Sequence, residues 1–378
     1  MLRNHVRAPA DHDLPFTATA QAAHSRGAPM ARTIDTMTTT RRGLLAATLS
    51  LTLLGLTGCG SSTDASTAGV GTASATASSS ASSSASASAG TTSAGADSPD
   101  LATLQAEVAS TFTQETYTDA TTGTTLPYNV YVPADYDAAK TYPLVLYIAD
   151  SSLVGQDVTA PLSQYGALIW ASSTEQAEHE SIVVVPEYPE VIIDDHGSFT
   201  TTDYWEMTRR LVQSVSSTYS VDPTRVYGTG QSMGAMTVMS LAATYPDLFA
   251  AELIVSGQWD ITQLQGLAGE TFTYTAAGGD ENASGGQTDV QAMLDTAGVA
   301  YSTTELDATA SAADQDAAVT AMYAAGDSAN FATFTTGTVL TASGSSSSGG
   351  MGANEHMASF QPAYEIAALR DWLFAQTA

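Results

Sequence analysis

The segment around Ser232 constrains the fold more than any other part of the chain. Residues 225–229 are a short β-branched and aromatic run, and residues 235–244 are a run of small, Leu and Met side chains. This order predicts a strand followed by a helix. Between them, Gly230-x-Ser232-x-Gly234 is typical of a sharp strand-to-helix turn that exposes a serine hydroxyl. The two glycines are expected because side chains would clash where the strand and the helix pass closely.

The first 58 residues have the features of an exported protein. Residues 1–36 show no hydrophobic period, and we expect them to be a non-functional upstream extension. Residues 37–58 join a basic pair to a short apolar run, which predicts a lipoprotein signal peptide rather than a membrane-spanning helix. Leu56-Thr57-Gly58-Cys59 resembles a bacterial lipobox, in which the cysteine is lipidated. Cys59 is the only cysteine of the chain, so lipidation would leave the mature protein without a free thiol.

The rest of the chain divides into a linker and one domain. Residues 59–97 are almost entirely Ser, Ala, Thr and Gly, which cannot bury enough apolar surface to fold and so predict a linker. Residues 98–378 have the length of one large α/β domain. We therefore expect a domain anchored by lipid to the outer side of the bacterial cell membrane, with no other membrane contact.

The charge of residues 98–378 excludes one class of partner. They carry 5 basic and 34 acidic residues, out of 11 and 39 in the whole chain. Such an acidic protein repels nucleic acid and anionic ligands and is kept soluble by its charge. We predict no nucleic-acid partner, and the sequence leaves the oligomeric state open.

Strands alternate with helices along this domain. Near-continuous apolar runs are expected for strands buried on both faces of a parallel sheet. Their alternation with helices predicts an α/β fold, with a mostly parallel, doubly wound sheet and helices on both faces. The expected strands are a hairpin of Phe112–Thr118 and Leu126–Val132, then Pro143–Ala149, Ser181–Pro186, the strand before Ser232, Ala251–Ser256 and Thr271–Ala276. The expected helices include Asp203–Tyr219, Asp289–Ala297 and Ala363–Ala375.

This order of elements resembles the α/β-hydrolase fold. The segments Tyr128–Pro133, Arg225–Gly234 and Glu355–Phe374 resemble its extracellular esterase/peptidase branch, which is related to prolyl oligopeptidase catalytic domains, polyhydroxybutyrate depolymerases and feruloyl esterases. The resemblance covers about residues 110–376. It implies a serine nucleophile, an acid and a histidine, in that order along the chain.

The order of residues selects the partners of Ser232. Of the six histidines, three lie ahead of the signal, and His179 and His196 precede Ser232, which leaves His356 as the expected general base. Asp280 follows the strand after Ala251–Ser256 and is the expected acid. Asp280 also suits an ordinary turn, and Glu281 is the next choice for the acid.

The expected oxyanion hole departs from the family pattern. One backbone N–H donor should be Met233, directly after the nucleophile, and the other should be near Asp150. Relatives often carry a His-Gly pair where this chain has Ala149-Asp150-Ser151-Ser152. A carboxylate beside an oxyanion is unfavourable unless it points away. The segment between residues 303–307 and His356, with a helical stretch at 314–325 and a strand-like run at 331–335, is a further candidate for lining the substrate cleft. Trp259 is another, although it equally suits the core.

These features predict a surface-anchored serine hydrolase that acts through an acyl-enzyme on Ser232. The expected substrate is a carboxylic ester, either a small molecule or one derived from a polymer. The acidic segment 280–286, expected as a loop, lacks the ligand alternation of a calcium site, so we predict no metal and no cofactor. The alternatives are a serine peptidase of the prolyl oligopeptidase type and a surface binding protein without turnover.

Overall fold

The computed structural model describes residues 98–344 and 354–378. The predicted upstream extension, signal peptide, linker and Cys59 lie outside the described residues. None of the described helices is both long enough and apolar enough to cross a membrane.

A nine-stranded sheet forms the centre of the domain. Its order is β1-β2-β4-β3-β7-β8-β9-β11-β10, and β5 and β6 form a separate hairpin. Strand β2 pairs antiparallel with β1 and β4, and all other neighbours in the large sheet are parallel. The strands are β1 Thr113–Thr118, β2 Thr125–Tyr131, β3 Tyr142–Ile148, β4 Ile182–Pro186, β5 Ile193–Asp194, β6 Thr200–Thr201, β7 Val221–Gln231, β8 Ala251–Val255, β9 Phe272–Ala277, β10 Tyr301–Leu306 and β11 Ala329–Phe334.

Helices cover both faces of this sheet. Along β3, Leu144 and Leu146 belong to the core that packs on α4, α5 and α6, whereas Val145 and Tyr147 belong to the core on α1, α2, α10 and α11. This alternation follows the two-residue period of a strand. The predicted α/β-hydrolase architecture is therefore confirmed. The helices are α1 Leu101–Val108, α2 Tyr165–Leu168, α3 Ser173–Glu178, α4 Asp203–Thr218, α5 Met233–Thr244, α6 Glu281–Ala297, α7 Ala312–Tyr323, α8 Thr338–Ala342, α9 Glu355–Ala358, α10 Phe360–Glu365 and α11 Ala367–Phe374.

Two expected helices have different bounds in the structure. Helix α6 begins at Glu281 rather than at residue 289, because Asp280 caps it by accepting the N–H of Ala283 at 3.3 Å. The expected loop 280–286 is thus mostly helical. The single C-terminal helix is divided into α10 and α11 at Ile366, whose backbone is extended with φ of −73° and ψ of 109°. The Ala368 N–H, in the first turn of α11, donates to Asp316 of α7 at 3.0 Å.

Candidate active site

Ser232 lies at the turn between β7 and α5 in a strained conformation. Its φ of 52° and ψ of −117° lie in a region that non-glycine residues rarely adopt. A Cβ atom on Gly234 would lie 1.9 Å from the carbonyl oxygen of Ile148, and one on Gly230 would lie 2.6 Å from the carbonyl carbon of Gly234. Both glycines are therefore required by backbone contacts. The turn is held by the Ser232 N–H, which donates to the Val255 carbonyl of β8 at 3.0 Å.

Three predicted site residues form a continuous chain of hydrogen bonds. Ser232 Oγ lies 2.9 Å from His356 Nε2, and His356 Nδ1 lies 2.6 Å from Asp280 Oδ2. Ser232 and Asp280 follow β7 and β9, whose carboxyl ends meet at one edge of the parallel sheet. Asp280 is only 7% exposed. This arrangement can pass a proton from a serine to an imidazole that a carboxylate orients.

The other candidates for base and acid lie elsewhere. His179 Nε2 pairs with Asp371 at 2.9 Å, and the His196 side chain is 91% exposed and pairs with Asp194 at 2.8 Å. Glu281 is an exposed residue in the first turn of α6, and the carboxylate that bonds His356 is that of Asp280. The structure thus brings together Ser232, Asp280 and His356.

Met233 and Asp150 both border the cavity beside Ser232. Met233 is the first residue of α5, where backbone N–H groups have no partner within the helix. The Asp150 side chain accepts the Ser152 N–H at 2.8 Å and a Gln231 Nε2 hydrogen at 2.9 Å, and Gln164 Nε2 is a third donor. The carboxylate that departs from the family pattern is therefore anchored by three neutral donors.

The cavity at Ser232 has a volume of about 670 Å³ and combines acidic and apolar walls. None of the described residues that line it is Lys or Arg. Its apolar lining residues are Val191 and Ile193 at the β5–β6 hairpin, Met233 and Met236 of α5, and Met357 of α9. Its carboxylates, apart from Asp280, are Asp150, Asp194, Asp195, Glu281 and Glu355. The cleft is therefore suited to substrates that carry no negative charge near the reacting bond.

Sequence reasoning missed the β5–β6 wall, since two-residue strands give no periodic signal. Of the two cleft roles that the sequence suggests, the described residues support one only in part and the other not at all. Trp259 is buried and does not line the cavity. Its ring packs on that of Phe199, with 5.1 Å between the two ring centroids. Of the predicted segment before His356, Asn354 and Glu355 line the cavity, whereas residues 308–344 do not, because they include β11, which with β10 extends the sheet at its edge.

Two groups of side chains within the described ranges have the composition of metal ligands. Each brings three possible ligand atoms within 4.8 Å of one another. The first group joins α3 to α11, and the second lies on the β5–β6 hairpin. They are Glu175, His179 and Asp371, and Asp194, Asp195 and His196.

Comparison with known proteins agrees with this fold. The poly(3-hydroxyalkanoate) depolymerase C of Paucimonas lemoignei is 43% identical over 49 residues, 13% of this chain and 12% of that protein. Feruloyl esterase B of Talaromyces funiculosus is 34% identical over 102 residues, 27% of this chain and 26% of that protein. The chain thus matches at most about a quarter of the length of these relatives. A solved thermostable esterase shares the fold with a TM-score of 0.57 and 20% identity, covering 72% of this chain and 64% of that one.

A family model covers far more of the chain than these relatives do. The Esterase model matches residues 120–348, which is more than half of the chain. The match includes β2 through β11 and the turn that carries Ser232. The protein belongs to the Esterase family.

Proposed function

We propose that the protein is a serine hydrolase of carboxylic esters that forms an acyl-enzyme on Ser232. The observation that supports this proposal most is the hydrogen-bonded chain of Ser232, His356 and Asp280 at the carboxyl edge of the sheet. Membership of the Esterase family supports ester hydrolysis over the peptidase alternative.

The positions of these atoms support the following proposed reaction. As Ser232 Oγ attacks the ester carbonyl, His356 Nε2 accepts its proton and Asp280 stabilises the resulting imidazolium. The carbonyl oxygen becomes negative and is stabilised by the Met233 N–H at the N-terminus of α5. Collapse of the tetrahedral intermediate breaks the C–O bond, and His356 gives its proton to the leaving alcohol. Water then hydrolyses the acyl-serine by the same route, which releases a carboxylic acid.

Substrate panels separate the two hydrolase alternatives. A p-nitrophenyl ester series of increasing acyl length, a feruloyl ester and a set of peptide p-nitroanilides should be assayed with the wild-type protein and Ser232→Ala. We expect hydrolysis of esters by the wild type alone. Cleavage of the peptide series with kcat/KM equal to or above that of the esters would favour the peptidase.

We also propose that Cys59 anchors the enzyme to the outer face of the cell membrane. The Leu56–Cys59 motif after an apolar run supports this proposal, as does the linker composition of residues 59–97. Metabolic labelling with a fatty-acid analogue should mark the wild-type protein and leave Cys59→Ser unmarked. If Cys59→Ser is labelled and fractionates with membranes as the wild type does, the anchor is elsewhere.

A further inference from the structure

Glu355 joins two loops beside the proposed active site. Its Oε2 accepts the N–H of Gly279 at 2.9 Å, and its Oε1 accepts the N–H of Gly337 at 2.9 Å. Gly279 directly precedes Asp280 after β9, and Gly337 caps α8 after β11. Glu355 itself directly precedes His356. The side chain of Glu355, the residue before the proposed base, therefore binds Gly279, the residue before the proposed acid.

We propose that Glu355 is a positioning residue that holds His356 in register with Asp280, a role that rests on the function proposed above. Helix α9 has only four residues and cannot fix the imidazole by itself. The two hydrogen bonds of Glu355 tie α9 to the ends of β9 and β11, which belong to the large sheet. The distance between His356 and Asp280 is thus set by the sheet as well as by the contact of their own side chains.

The contact at Gly279 shows how closely the carboxylate fits. A Cβ atom on Gly279 would lie 2.2 Å from Glu355 Oε1, so any larger residue at this position would displace the carboxylate. An ionised carboxylate also offers two equivalent acceptors, which two separate N–H donors require. Glutamine would keep the shape but would turn an N–H₂ group toward one of these donors.

The other side of His356 is held by a different contact. Ser359 Oγ donates to the His356 carbonyl at 2.7 Å and lies 2.7 Å from Ser256 Oγ at the end of β8. Both serines are buried. This contact does not involve the Glu355 side chain, so we expect the segment to remain folded in Glu355 variants while the imidazole loses its exact orientation.

The variants Glu355→Ala, Glu355→Gln and Gly279→Ala test this role in the full domain. We expect each to lower kcat about 10²-fold, as a misplacement near 1 Å does, with KM within about twofold of the wild type. In proton NMR spectra the far-downfield signal of the His356–Asp280 hydrogen bond should weaken or disappear. Formate should partly restore kcat in Glu355→Ala, since it can accept both N–H groups, and should not do so in Gly279→Ala. Glu305→Gln on β10, an exposed carboxylate, is the matched control.

Three results would overturn the role. These are wild-type kcat in Glu355→Ala, an unchanged downfield proton in Glu355→Gln, and a rise in KM with constant kcat, which would make Glu355 a substrate contact instead. If Glu355→Ala unfolds, the isosteric Glu355→Gln gives the same readouts. Failure of the proposed function has another signature, because the wild type would then hydrolyse no ester or Ser232→Ala would keep the wild-type esterase activity.

Discussion

Asp280 Oδ2 lies 2.6 Å from His356 Nδ1, while the other oxygen of the same carboxylate caps helix α6. The cap fixes the rotation of the side chain, so the carboxylate faces the imidazole before any substrate binds. The helix N-terminus also favours a negative charge at this place. A secondary-structure contact thereby prepares the geometry that the proposed reaction needs.

Asp280→Asn should lower kcat by about 10⁴, because an amide would hold the imidazole of His356 in the wrong tautomer. Folding should change little, since asparagine also caps helices well. Steady-state kinetics together with thermal unfolding separate the two effects. Activity near that of the wild type would transfer the role of the acid to Glu281 or another carboxylate.

Two glycine substitutions should have opposite effects on stability. Gly234→Ala should destabilise the domain by at least about 2 kcal/mol, since its Cβ would lie 1.9 Å from a backbone oxygen of β3. Gly285→Ala has no atom within 4 Å of the new Cβ and lies within α6, so it should stabilise by about 1 kcal/mol. Urea unfolding measures both. If the two variants changed the free energy of unfolding equally, the backbone contact between Gly234 and Ile148 would not be rigid.

Stability should decrease as pH rises from about 4.5 to about 7. Burial raises the pKa of Glu252 well above its usual range, with a further contribution from Glu270, and neither oxygen of Glu252 has a hydrogen-bond partner among the described residues. Burial and Asp247 raise the pKa of Glu270 to about 7. The folded state holds these protons more tightly than the unfolded state. Its advantage is therefore complete below the ordinary pKa of glutamate, 4.5, and is lost as pH passes the folded value.

Glu252→Met should remove part of this pH dependence. The thioether has a similar size and no buried charge, so the free energy of unfolding should rise by about 1–3 kcal/mol at pH 8 and by less at pH 5. Thermal unfolding across this pH range gives the comparison, with Glu305→Gln as an exposed control. An equal gain at both values of pH would show that ionisation of Glu252 does not contribute.

The acidic cleft should select against negatively charged acyl groups. The p-nitrophenyl esters of butyrate and succinate have the same four-carbon chain and differ in a terminal carboxylate. We expect kcat/KM to favour butyrate by about tenfold at low salt, and the difference to narrow in 0.5 M NaCl as screening grows. A preference for succinate would contradict the electrostatic account of the cleft.

What the sequence predicts well is encoded locally. The glycines around Ser232 and the buried apolar runs predict the fold class, and the resemblance to the α/β-hydrolase fold supplies the order of serine, acid and histidine that selects Ser232, Asp280 and His356. Helix α6 was predicted too short because Gly285 and Gly286 are poor helix formers, whereas the cap from Asp280 outweighs them.

Contacts between distant parts of the chain gave no such signal. Gln231 and Gln164 anchor Asp150, and Glu355 bonds Gly279 across 76 positions, yet none of these residues has a distinctive local pattern. Their partners are decided by the strand order of the sheet. The orientation of the Asp150 carboxylate therefore became visible only in the folded domain.

Covalent labelling of Ser232 tests the central claim most directly. A fluorophosphonate probe should attach to Ser232 of the wild-type protein, as located by mass spectrometry of the proteolysed adduct, because His356 increases the nucleophilicity of its hydroxyl. We expect no adduct in Ser232→Ala, a loss of labelling rate of several orders of magnitude in His356→Ala, and a wild-type rate in His179→Ala. Rapid labelling of His356→Ala, or a wild-type adduct on any residue other than Ser232, would contradict the account.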